Sequence, residues 1–359
     1  MTFATPGIEY RPPTPTRYRP PIGLIGCGGI TESHLTAYRD MDLEVVALCD
    51  LDGEQAVNRR DQFYPDAAVY TDHDALLARE DVAVVDVATP PTVRPDIVAD
   101  TIDAGKHVLS QKPFVLDLDE GHALVERAAE AGVRLAVNQN GRWAPHWRYC
   151  LAAAADGHLG TLQSATFAGN WNHDWIADTD FDGIDHAILY DYAIHWFDVI
   201  ATLFADRDPR SVTATTTRGP AQTATPPLLA QAIVAYDDAQ VSLAFDGHTR
   251  HGSVDRTVVA GTDGTVVSRG SSLNDQTVSV HRDGTEYVPD LTGQWFTDGF
   301  AGAMGELLVA IEDDRAPEHA ARANLASLEL CFAAVAAAED GTVVEPGEVR
   351  TLRGNAWTG

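Results

Sequence analysis

Lys112 is one of only two lysines in the chain, and both lie in residues 105–113, Gly-Lys-His-Val-Leu-Ser-Gln-Lys-Pro. Almost every other cation is arginine, although 53 acidic residues face 25 basic ones. Lysine is a compact charge that can lose its proton when buried, whereas arginine is a permanently charged planar fork. Lys112 is therefore the first candidate for chemistry that a guanidinium cannot perform. A solvated loop lysine is the alternative.

A second candidate group is the sequence Asp191-Tyr-Ala-Ile-His195-Trp-Phe-Asp198, in a run that predicts an amphipathic helix over 187–204. Spacings of four and three residues place Asp191, His195 and Asp198 along one helix face. A carboxylate one turn from a histidine can fix its tautomer and favour its protonated form after it accepts a proton. Oxidation of a hydroxyl-bearing carbon needs such a proton acceptor. A structural hydrogen bond is the competing interpretation.

The stretch 170–175, Asn-Trp-Asn-His-Asp-Trp, combines aromatic faces with polar tips. Sugars bind to such surfaces, with their ring faces on indoles and their hydroxyls on amides and carboxylates. Trp171, His173 and Trp175 are therefore candidate substrate contacts. An aromatic patch at a subunit or domain contact is the alternative.

Tyr190 and His186 belong to the same undecided group of substrate contacts or structural side chains. His173, Asp174 and His186 could be imagined as metal ligands, but their spacing matches no dedicated site. We therefore predict no catalytic metal.

The elements that must position these groups begin at residue 22, where short β-rich runs alternate with helical segments. The predicted strands are 22–25, 45–49, 82–88, 107–110 and 134–137. Repeated strand–helix alternation implies an α/β domain with a parallel sheet covered on both faces.

The first predicted strand leads into the turn Gly26-Cys-Gly28-Gly29-Ile30-Thr31. Gly26 permits the tight turn, and Gly28 lets the backbone approach a pyrophosphate. The helix that follows offers its N-terminal amides and positive dipole end to that anion. Gly29 and Ile30 complete the predicted cofactor-binding turn.

An acidic residue follows the second predicted strand. Asp50 lies 22 residues after Gly28, where a carboxylate can bind the adenosine ribose hydroxyls of a dinucleotide. The same charge repels a 2′-phosphate, and Leu51 and Asp52 follow it without a basic residue. The pattern predicts NAD rather than NADP. A glycine turn in a flavodoxin-like domain, with an incidental aspartate, is the alternative.

These motifs occur in the order of a known family. With the Gly26 turn, Asp50, the run 82–91 Val-Ala-Val-Val-Asp-Val-Ala-Thr-Pro-Pro and the run 106–113 ending in Gln-Lys-Pro, the chain resembles the glucose-fructose oxidoreductase / inositol dehydrogenase / rhizopine catabolism (Gfo/Idh/MocA) family. The resemblance covers residues 22–142. It implies an N-terminal Rossmann domain and a C-terminal α+β domain with a large, open, mainly antiparallel sheet.

The resemblance also implies roles for single residues of the Rossmann domain. Thr89 and Pro90 would line the cofactor, and Lys112, with Gln111 before it, would reach both nicotinamide and substrate. Asn140 would contact the nicotinamide end or the substrate. Gln111 and Arg94 depart from the family pattern, because a glutamate usually precedes the lysine and a histidine usually stands in the loop after Thr-Pro-Pro.

The implied activity is hydride transfer between a sugar, polyol or related hydroxy compound and the nicotinamide of NAD(P). Asp191 and His195 match the family's catalytic Asp-x-x-x-His. His195 would take the hydroxyl proton, Asp191 would orient His195 and bind the substrate, and Lys112 would stabilise the developing alkoxide. One alternative is a glycosidase that uses NAD for transient oxidation and elimination. Another is a non-catalytic dinucleotide sensor, which should lack one member of this set.

The second half of the chain reads differently from residue 143 onward. Helices are predicted over 145–155, 187–204, 300–311 and 320–338, and an extended run over 161–171. Further strands are predicted over 211–217, 228–236, 240–245, 256–261, 265–268 and 277–281, many bounded by Asp-Gly or Asp-Asp turns. They indicate an antiparallel or mixed sheet of about six strands backed by helices.

The formal net charge of −28 argues against nucleic-acid or membrane partners, because such a chain repels phosphate backbones and anionic lipids. Together with the scarcity of lysine, it indicates a halophilic protein kept soluble in concentrated salt. The four cysteines form no Cys-x-x-Cys pair, which fits a reducing cytoplasm. No secretory signal is expected, and no run approaches the ~18 apolar residues of a membrane span.

The predicted organisation has three parts. Residues 1–21 carry six prolines and form an arm, either disordered or laid across a neighbouring subunit. Residues 22–142 form the NAD-binding domain, and residues 143–359 form the substrate and oligomerisation domain. The family resemblance implies a homodimer or homotetramer.

Overall fold

Six parallel strands form the first sheet of the computed structural model, which describes residues 7–352. Their spatial order is β3-β2-β1-β4-β5-β6. The strands are β1 (Ile22–Ile25), β2 (Val45–Cys49), β3 (Ala68–Tyr70), β4 (Val84–Val87), β5 (His107–Ser110) and β6 (Leu135–Val137). Since β1 and β4 are buried at every position, they read as apolar runs rather than alternating ones. The predicted parallel sheet is confirmed, with β3 as an additional strand.

Side-chain caps and a glycine fix where several of the helices next to this sheet begin or end. The helices are α1 (Thr31–Asp40), α2 (Gly53–Phe63), α3 (His73–Leu77), α4 (Arg94–Asp103) and α5 (Leu118–Ala131), followed by a 3₁₀ turn at Asn140–Trp143. The side chains of Asp52, Asp72 and Asp117 accept backbone N–H groups at the starts of α2, α3 and α5. Gly132, with φ of 70°, ends α5.

The described chain divides into two units, each built from separated segments. The N-terminal unit comprises residues 11–143 and 296–325, and the C-terminal unit comprises residues 7–10, 144–295 and 326–352. The predicted boundary at residue 142 divides the chain into consecutive segments and does not anticipate that residues 296–325 group with the first sheet.

The helix α8 (Trp295–Glu312) explains this grouping. From Phe300 onward its apolar side chains join the core formed by α1 and the first sheet. Gly302 and Gly305 permit the close approach, because a Cβ at these positions would lie 2.1 Å from the Trp143 ring and 2.0 Å from the Pro13 carbonyl oxygen.

The proline-rich arm is ordered over its described part, whereas residues 1–6 lie outside the described residues. In the N-terminal unit, the Glu312 carboxylate accepts the backbone N–H groups of Thr16, Arg17 and Tyr18 at 3.1, 2.7 and 2.8 Å. In the C-terminal unit, the Tyr10 hydroxyl accepts the Thr292 N–H at 3.0 Å. The described part of the arm is therefore ordered rather than disordered, because Glu312 accepts the backbone donors of Thr16, Arg17 and Tyr18. A contact of the arm with a neighbouring subunit stays a prediction.

Eight strands form the sheet of the C-terminal unit, in the order β14-β13-β12-β11-β7-β10-β9-β8. They are β7 (Leu162–Asn170), β8 (Ser211–Thr217), β9 (Leu229–Ala235), β10 (Gln240–Asp246), β11 (Val254–Gly261), β12 (Thr265–Ser272), β13 (Asp275–Arg282) and β14 (Thr285–Tyr287). Only β7 and β10 pair in parallel. Buried and exposed positions alternate along β9 and β10, as in a sheet with one covered face. The mainly antiparallel sheet is confirmed, with more strands than predicted.

The helices of this part of the chain are α6 (Pro145–Ala155), α7 (Ile194–Leu203) and α9 (Ala321–Asp340). A π-helical turn, Ile188–Tyr192, precedes α7 and contains a hydrogen bond from the Ala193 N–H to the Ile188 carbonyl at 3.1 Å. The prediction of one amphipathic helix over 187–204 is therefore wrong. The winding changes within this run, and α7 is buried around most of its circumference.

Two observations bear on the chemical environment of the chain. The four cysteines are buried and form no disulfide. Within residues 7–352, α9 is long and apolar enough to cross a membrane by length and composition, but 72% of its apolar window is buried inside the protein. Core helices pass the same test, so α9 is weak evidence for a membrane span.

We predict that Glu312→Gln releases the arm. Backbone hydrogen bonds from Arg17 and Tyr18 lower the pKa of Glu312 to about 2. A folded-state pKa below the unfolded value stabilises the protein above the unfolded pKa, and this stability is lost as pH falls through the folded pKa. The arm contact should therefore weaken between about pH 4.5 and pH 2. At neutral pH, limited trypsinolysis should cleave the variant after Arg17 faster than the wild type.

The matched control is Glu44→Gln, which makes the same charge change at an exposed position. Equal cleavage rates for wild type, Glu312→Gln and Glu44→Gln would show that Glu312 does not hold the arm.

Candidate functional site

The glycine turn after β1 has the shape that a dinucleotide phosphate requires. Gly26 has φ of 91°, and a Cβ there would lie 2.8 Å from the Ala88 carbonyl group. Apart from its chain neighbours, a Cβ on Gly28 or Gly29 would meet no atom of residues 7–352 within 4 Å, so the backbone opens onto free space there. The Thr31 hydroxyl closes the turn by donating to the Gly28 carbonyl at 2.6 Å. The turn therefore fits a pyrophosphate at the start of α1, next to the exposed Ile30.

Asp50, at the end of β2, lies beside this turn. One carboxylate oxygen accepts the Cys27 N–H at 2.7 Å, and the other accepts the Asp52 N–H at 2.9 Å. Each oxygen has further lone pairs, so the carboxylate can support the turn and still accept a ribose hydroxyl.

Arg59 on α2 is a basic neighbour that the sequence analysis did not identify. Its guanidinium donates to the carbonyls of Cys27, Gly28 and Gly29 at 3.3–3.4 Å. It also pairs with Glu32 at 3.4 Å. Arg59 therefore braces the glycine turn through three backbone carbonyls, while its Nη1 donates to side-chain oxygens of Glu32 and Gln62.

The remaining predicted cofactor residues follow the carboxyl ends of other strands of the same sheet. Thr89 and Pro90 follow β4, Gln111 and Lys112 follow β5, and Asn140 follows β6. Because all six strands are parallel, these residues share one sheet edge with the glycine turn, the edge at which open α/β sheets bind ligands. The Thr89 hydroxyl oxygen is buried and has no hydrogen-bond partner within residues 7–352. A polar ligand at this edge could satisfy it.

The two lysines differ in their surroundings. Lys106 is 6% exposed, and its ammonium donates to the carbonyls of Arg79 and Val82 at 2.7 Å each. Burial lowers its pKa from the ordinary value. Lys112 is half-buried at the carboxyl edge of the sheet, which differs from the solvated loop lysine considered as the alternative.

A buried hydrogen-bond network underlies this edge, and the sequence analysis did not identify it. Asp86 on β4 accepts from Nδ1 of His34 at 2.7 Å and from the Tyr38 hydroxyl at 2.6 Å. The side-chain amides of Gln111 and Asn138 face Nε2 of His34 at 3.3 and 3.4 Å. An aspartate inside the apolar run of β4 was the available signal, because a buried carboxylate needs partners.

In the C-terminal unit, Asp191 lies in the π-helical turn and His195 in the first turn of α7. The imidazole of His195 is 7% exposed and meets the Trp295 ring edge-on, with centroids 5.2 Å apart. Burial, and then the charge of Asp191, raises the pKa of the Cys331 thiol. Asp198 accepts the Ser327 hydroxyl at 3.1 Å, which gives it a structural contact with α9. Single π-helical turns next to α-helices are frequent at functional sites.

The three predicted aromatic substrate contacts lie in one cluster around Tyr192. Trp171 stacks on Tyr192 with centroids 4.4 Å apart, and its indole N–H donates to His173 at 3.0 Å. His173 contacts the ring of Trp175 at 5.1 Å. Trp175 is 57% exposed, whereas His173 is buried. Trp175 therefore offers the accessible ring, while one face of Trp171 is already covered by protein.

Other residues of the undecided group have structural contacts. His186 pairs with Glu339 at 2.8 Å, and Tyr190 is buried near Phe332. Asp174 accepts the backbone N–H groups of Thr223 and Ala224 at 2.9 and 2.8 Å. These contacts anchor loops and α9.

Asp255 on β11 is a further candidate that the sequence analysis did not identify. Its side chain is 6% exposed and accepts from the Gln276 amide at 3.1 Å. Burial raises the pKa of Asp255 to about 7. Burial and then the charge of Asp255 raise the pKa of Tyr192 well above its ordinary value. A carboxyl group that titrates near neutral pH beside an aromatic cluster is suited to general acid or base chemistry.

The chain matches two protein-family models. Residues 21–139 match the model described as "Oxidoreductase family, NAD-binding Rossmann fold", and residues 147–267 match the "GFO/IDH/MocA C-terminal domain". Together they cover well over half of the chain. The protein therefore belongs to the Gfo/Idh/MocA oxidoreductase family, and its first sheet is the NAD-binding Rossmann fold of that family.

Several characterised proteins are similar to this chain. D-apiose dehydrogenase of Paraburkholderia graminis is 34% identical over 57% of this chain and 54% of its own length. Inositol 2-dehydrogenase of Rhizobium meliloti is 27% identical over 54% of this chain and 57% of its own length. The chain thus spans about half the length of these curated relatives.

The fold of this chain is similar to that of a solved structure over most of its length. An oxidoreductase from Agrobacterium radiobacter, in complex with NAD⁺, L-tartaric acid and magnesium, has a TM-score of 0.82 and 22% identity, over 92% of this chain and 99% of its own. At that identity the likeness shows the fold alone.

We predict that Asp255→Asn stabilises the protein at high pH. The folded-state pKa of Asp255 lies above its unfolded value of 3.8. The folded state therefore holds the proton more tightly, and this stability is lost as pH rises from about 4 to about 7. An asparagine keeps the acceptor for Gln276 without the charge. The unfolding free energy of the variant minus that of the wild type should increase by about 3 kcal/mol as the pH is raised from about 4.5 to about 8.

Denaturant titration at both pH values measures this gain. The control is Asp208→Asn, an exposed aspartate on the same unit. If the unfolding free energies of Asp255→Asn and wild type differ by the same amount at every pH, ionisation of Asp255 does not destabilise the folded protein.

Proposed function

We propose that the protein is an NAD-dependent dehydrogenase that oxidises a hydroxyl group of a sugar, polyol or related hydroxy compound. The observation that carries this proposal is the placement of Lys112 on the sheet edge that also bears the glycine turn and Asp50. The names of the two curated relatives support a dehydrogenase over a glycosidase or a dinucleotide sensor.

The proposed roles follow from the chemistry of each side chain. The bound NAD supplies the hydride acceptor. The ammonium of Lys112 stabilises the negative charge that develops on the substrate oxygen. The imidazole of His195 accepts the hydroxyl proton, and Asp191 orients that imidazole and binds the substrate. Gly26, Gly28, Gly29 and Ile30 hold the pyrophosphate, Asp50 holds the adenosine ribose, and Thr89, Pro90, Gln111 and Asn140 line the nicotinamide end.

The proposed substrate class rests on the aromatic cluster and on the relatives. Trp171, His173 and Trp175 combine ring faces with polar atoms, as carbohydrate sites do. Both curated relatives are named for sugar or polyol substrates. We assign substrate binding to these three residues, with the accessible ring of Trp175 as the stacking surface.

The cellular setting is part of the same proposal. The net charge of −28 supports a halophilic protein with a small-molecule substrate rather than a nucleic acid or a membrane as partner. The buried, reduced cysteines support a cytoplasmic location. Homodimer or homotetramer formation is the oligomeric state proposed for the family fold. In this scheme the N-terminal unit binds the cofactor, and the C-terminal unit binds the substrate and other subunits.

We predict that Lys112→Ala and His195→Ala each lower kcat by about 10²- to 10³-fold, because each removes a preplaced group that acts on charge or a proton in the transition state. NADH binding, measured by fluorescence titration in molar potassium chloride, should be unchanged. His281→Ala removes an exposed imidazole and is the control. Full turnover in either variant would remove that residue from the mechanism.

We predict that kcat/KM with NAD exceeds that with NADP by at least about tenfold, a difference of about 1.4 kcal/mol. Asp50→Asn should narrow this ratio, since it removes the charge that repels a 2′-phosphate. The amide has a single oxygen, so the variant keeps an acceptor for only one of the Cys27 and Asp52 N–H groups. Asp66→Asn, at an exposed position, is the control. A wild-type preference for NADP would contradict the role of Asp50.

A further inference from the structure

The segment that carries Lys112 is held by two side chains that depart from the family pattern, Gln111 and Arg94. Gln111 is 6% exposed and Arg94 is 2% exposed. Both contact the backbone on either side of the Lys112 Cα atom. Their contacts therefore bear on where the Lys112 ammonium lies.

Gln111 is fixed at both ends of its side-chain amide. Its Oε1 accepts the backbone N–H of Lys112 at 2.7 Å, and its Nε2 faces Nε2 of His34 at 3.3 Å. The other ring nitrogen of His34 contacts the Asp86 carboxylate, which can only accept, so the ring hydrogen lies on Nδ1. Nε2 of His34 is then an acceptor, and Gln111 donates to it.

This arrangement requires a group at position 111 that both donates and accepts. A glutamate carboxylate could accept the Lys112 N–H but has no hydrogen for Nε2 of His34. The ring would need a second proton and would lie between two buried carboxylates, Asp86 and the new one, beside the Tyr38 hydroxyl and the Asn138 amide. Burying three charges in place of one is costly unless the geometry is excellent. Glutamine supplies both the acceptor for the Lys112 N–H and the donor for Nε2 of His34.

Arg94 holds the other side of the segment. From the first turn of α4, its Nη1 donates to the Pro113 carbonyl oxygen, and its Nε and Nη2 donate to the Thr89 carbonyl oxygen. One guanidinium thus ties the loop after β4 to the residue that follows Lys112. The several N–H donors of the arginine fork make this double attachment possible, whereas a neutral imidazole has only one N–H to donate to two carbonyl oxygens.

We infer that Gln111 and Arg94 are positioning residues that fix the Lys112 backbone from both sides and so aim its ammonium at the substrate oxygen. The aim toward substrate rests on the proposed function. The fixing of the segment rests only on the contacts within the N-terminal unit.

The two-lysine composition makes a direct test possible. Full-length protein labelled with ¹³Cε-lysine should give two side-chain signals, one for each lysine. Lys106 is an internal reference for correct folding, because two carbonyls hold its ammonium. In cofactor-free Gln111→Met, which removes both amide hydrogen bonds, the Lys112 signal should show faster side-chain motion by ¹³C relaxation. The Lys106 signal should not change.

Gln111→Glu keeps the acceptor for the Lys112 N–H and should restore at least part of the wild-type relaxation. Gln231→Met makes the same substitution at an exposed position of β9 and should leave both signals unchanged. Arg94→Met tests the second attachment and also serves where Gln111→Met fails to fold, as a displaced Lys106 signal would reveal. Wild-type relaxation of Lys112 in folded Gln111→Met and folded Arg94→Met would overturn the inference.

Steady-state kinetics supply a second readout. A small misplacement of the ammonium should lower kcat by about tenfold to 10²-fold in Arg94→Met, with the NADH dissociation constant changed by less than about threefold. An equal loss in both quantities would indicate a merely structural role. If the wild type oxidises no hydroxy compound, the proposed function fails, and the relaxation data still decide whether the segment is held as inferred.

Discussion

The buried carboxylate of Asp86 is the constraint on which the cofactor edge depends. It lies in the middle of the sheet on β4, where an ionised group without partners would cost several kcal/mol. His34 and Tyr38, one turn apart on α1, meet this need and tie the helix after the glycine turn to β4. Nε2 of His34 contacts the side-chain amides of Gln111, which follows β5, and Asn138, which follows β6. A single imidazole thus joins one helix and three strands at the edge where the cofactor turn begins.

The C-terminal unit manages its buried carboxyl group differently. Asp86 accepts from two hydrogen-bond donors, whereas Asp255 accepts from the Gln276 amide, and burial raises the pKa of Asp255 to about 7. The first group serves as a fixed structural acceptor, and the second can change its protonation near neutral pH. Groups with pKa values close to the working pH transfer protons efficiently. Asp255 is therefore a titratable group close enough to the aromatic cluster for its charge to raise the pKa of Tyr192.

More of the fold than of the candidate site could be predicted from the sequence. The glycine turn and strands such as β1 are visible because local geometry demands particular residues there. The strands β3 and β14 were not predicted. Each has three residues and no buried position, whereas the equally short β6 is buried throughout and reads as an apolar run. The π-helical turn before α7 was missed because the apolar pattern does not distinguish it from α-helix. The partners of His34 lie 52, 77 and 104 residues away along the chain, so only the folded structure reveals them.

The surroundings of Lys106 explain why a lysine and not an arginine stands there. The same reasoning applies to Lys112. The Lys106 ammonium fits between two carbonyl oxygens at 2.7 Å each in a buried site, where the tetrahedral donors of a compact cation reach both and a planar guanidinium would need more room. Solubility alone does not account for this lysine, because it is 6% exposed. In a chain that otherwise uses arginine for its cations, lysine marks a place where shape matters. Lys112 is the other such place, and its backbone is anchored to buried partners on both sides. Under the proposed function, this anchoring would preorganise the Lys112 segment, so that less reorganisation is needed to place its positive charge beside the reacting oxygen.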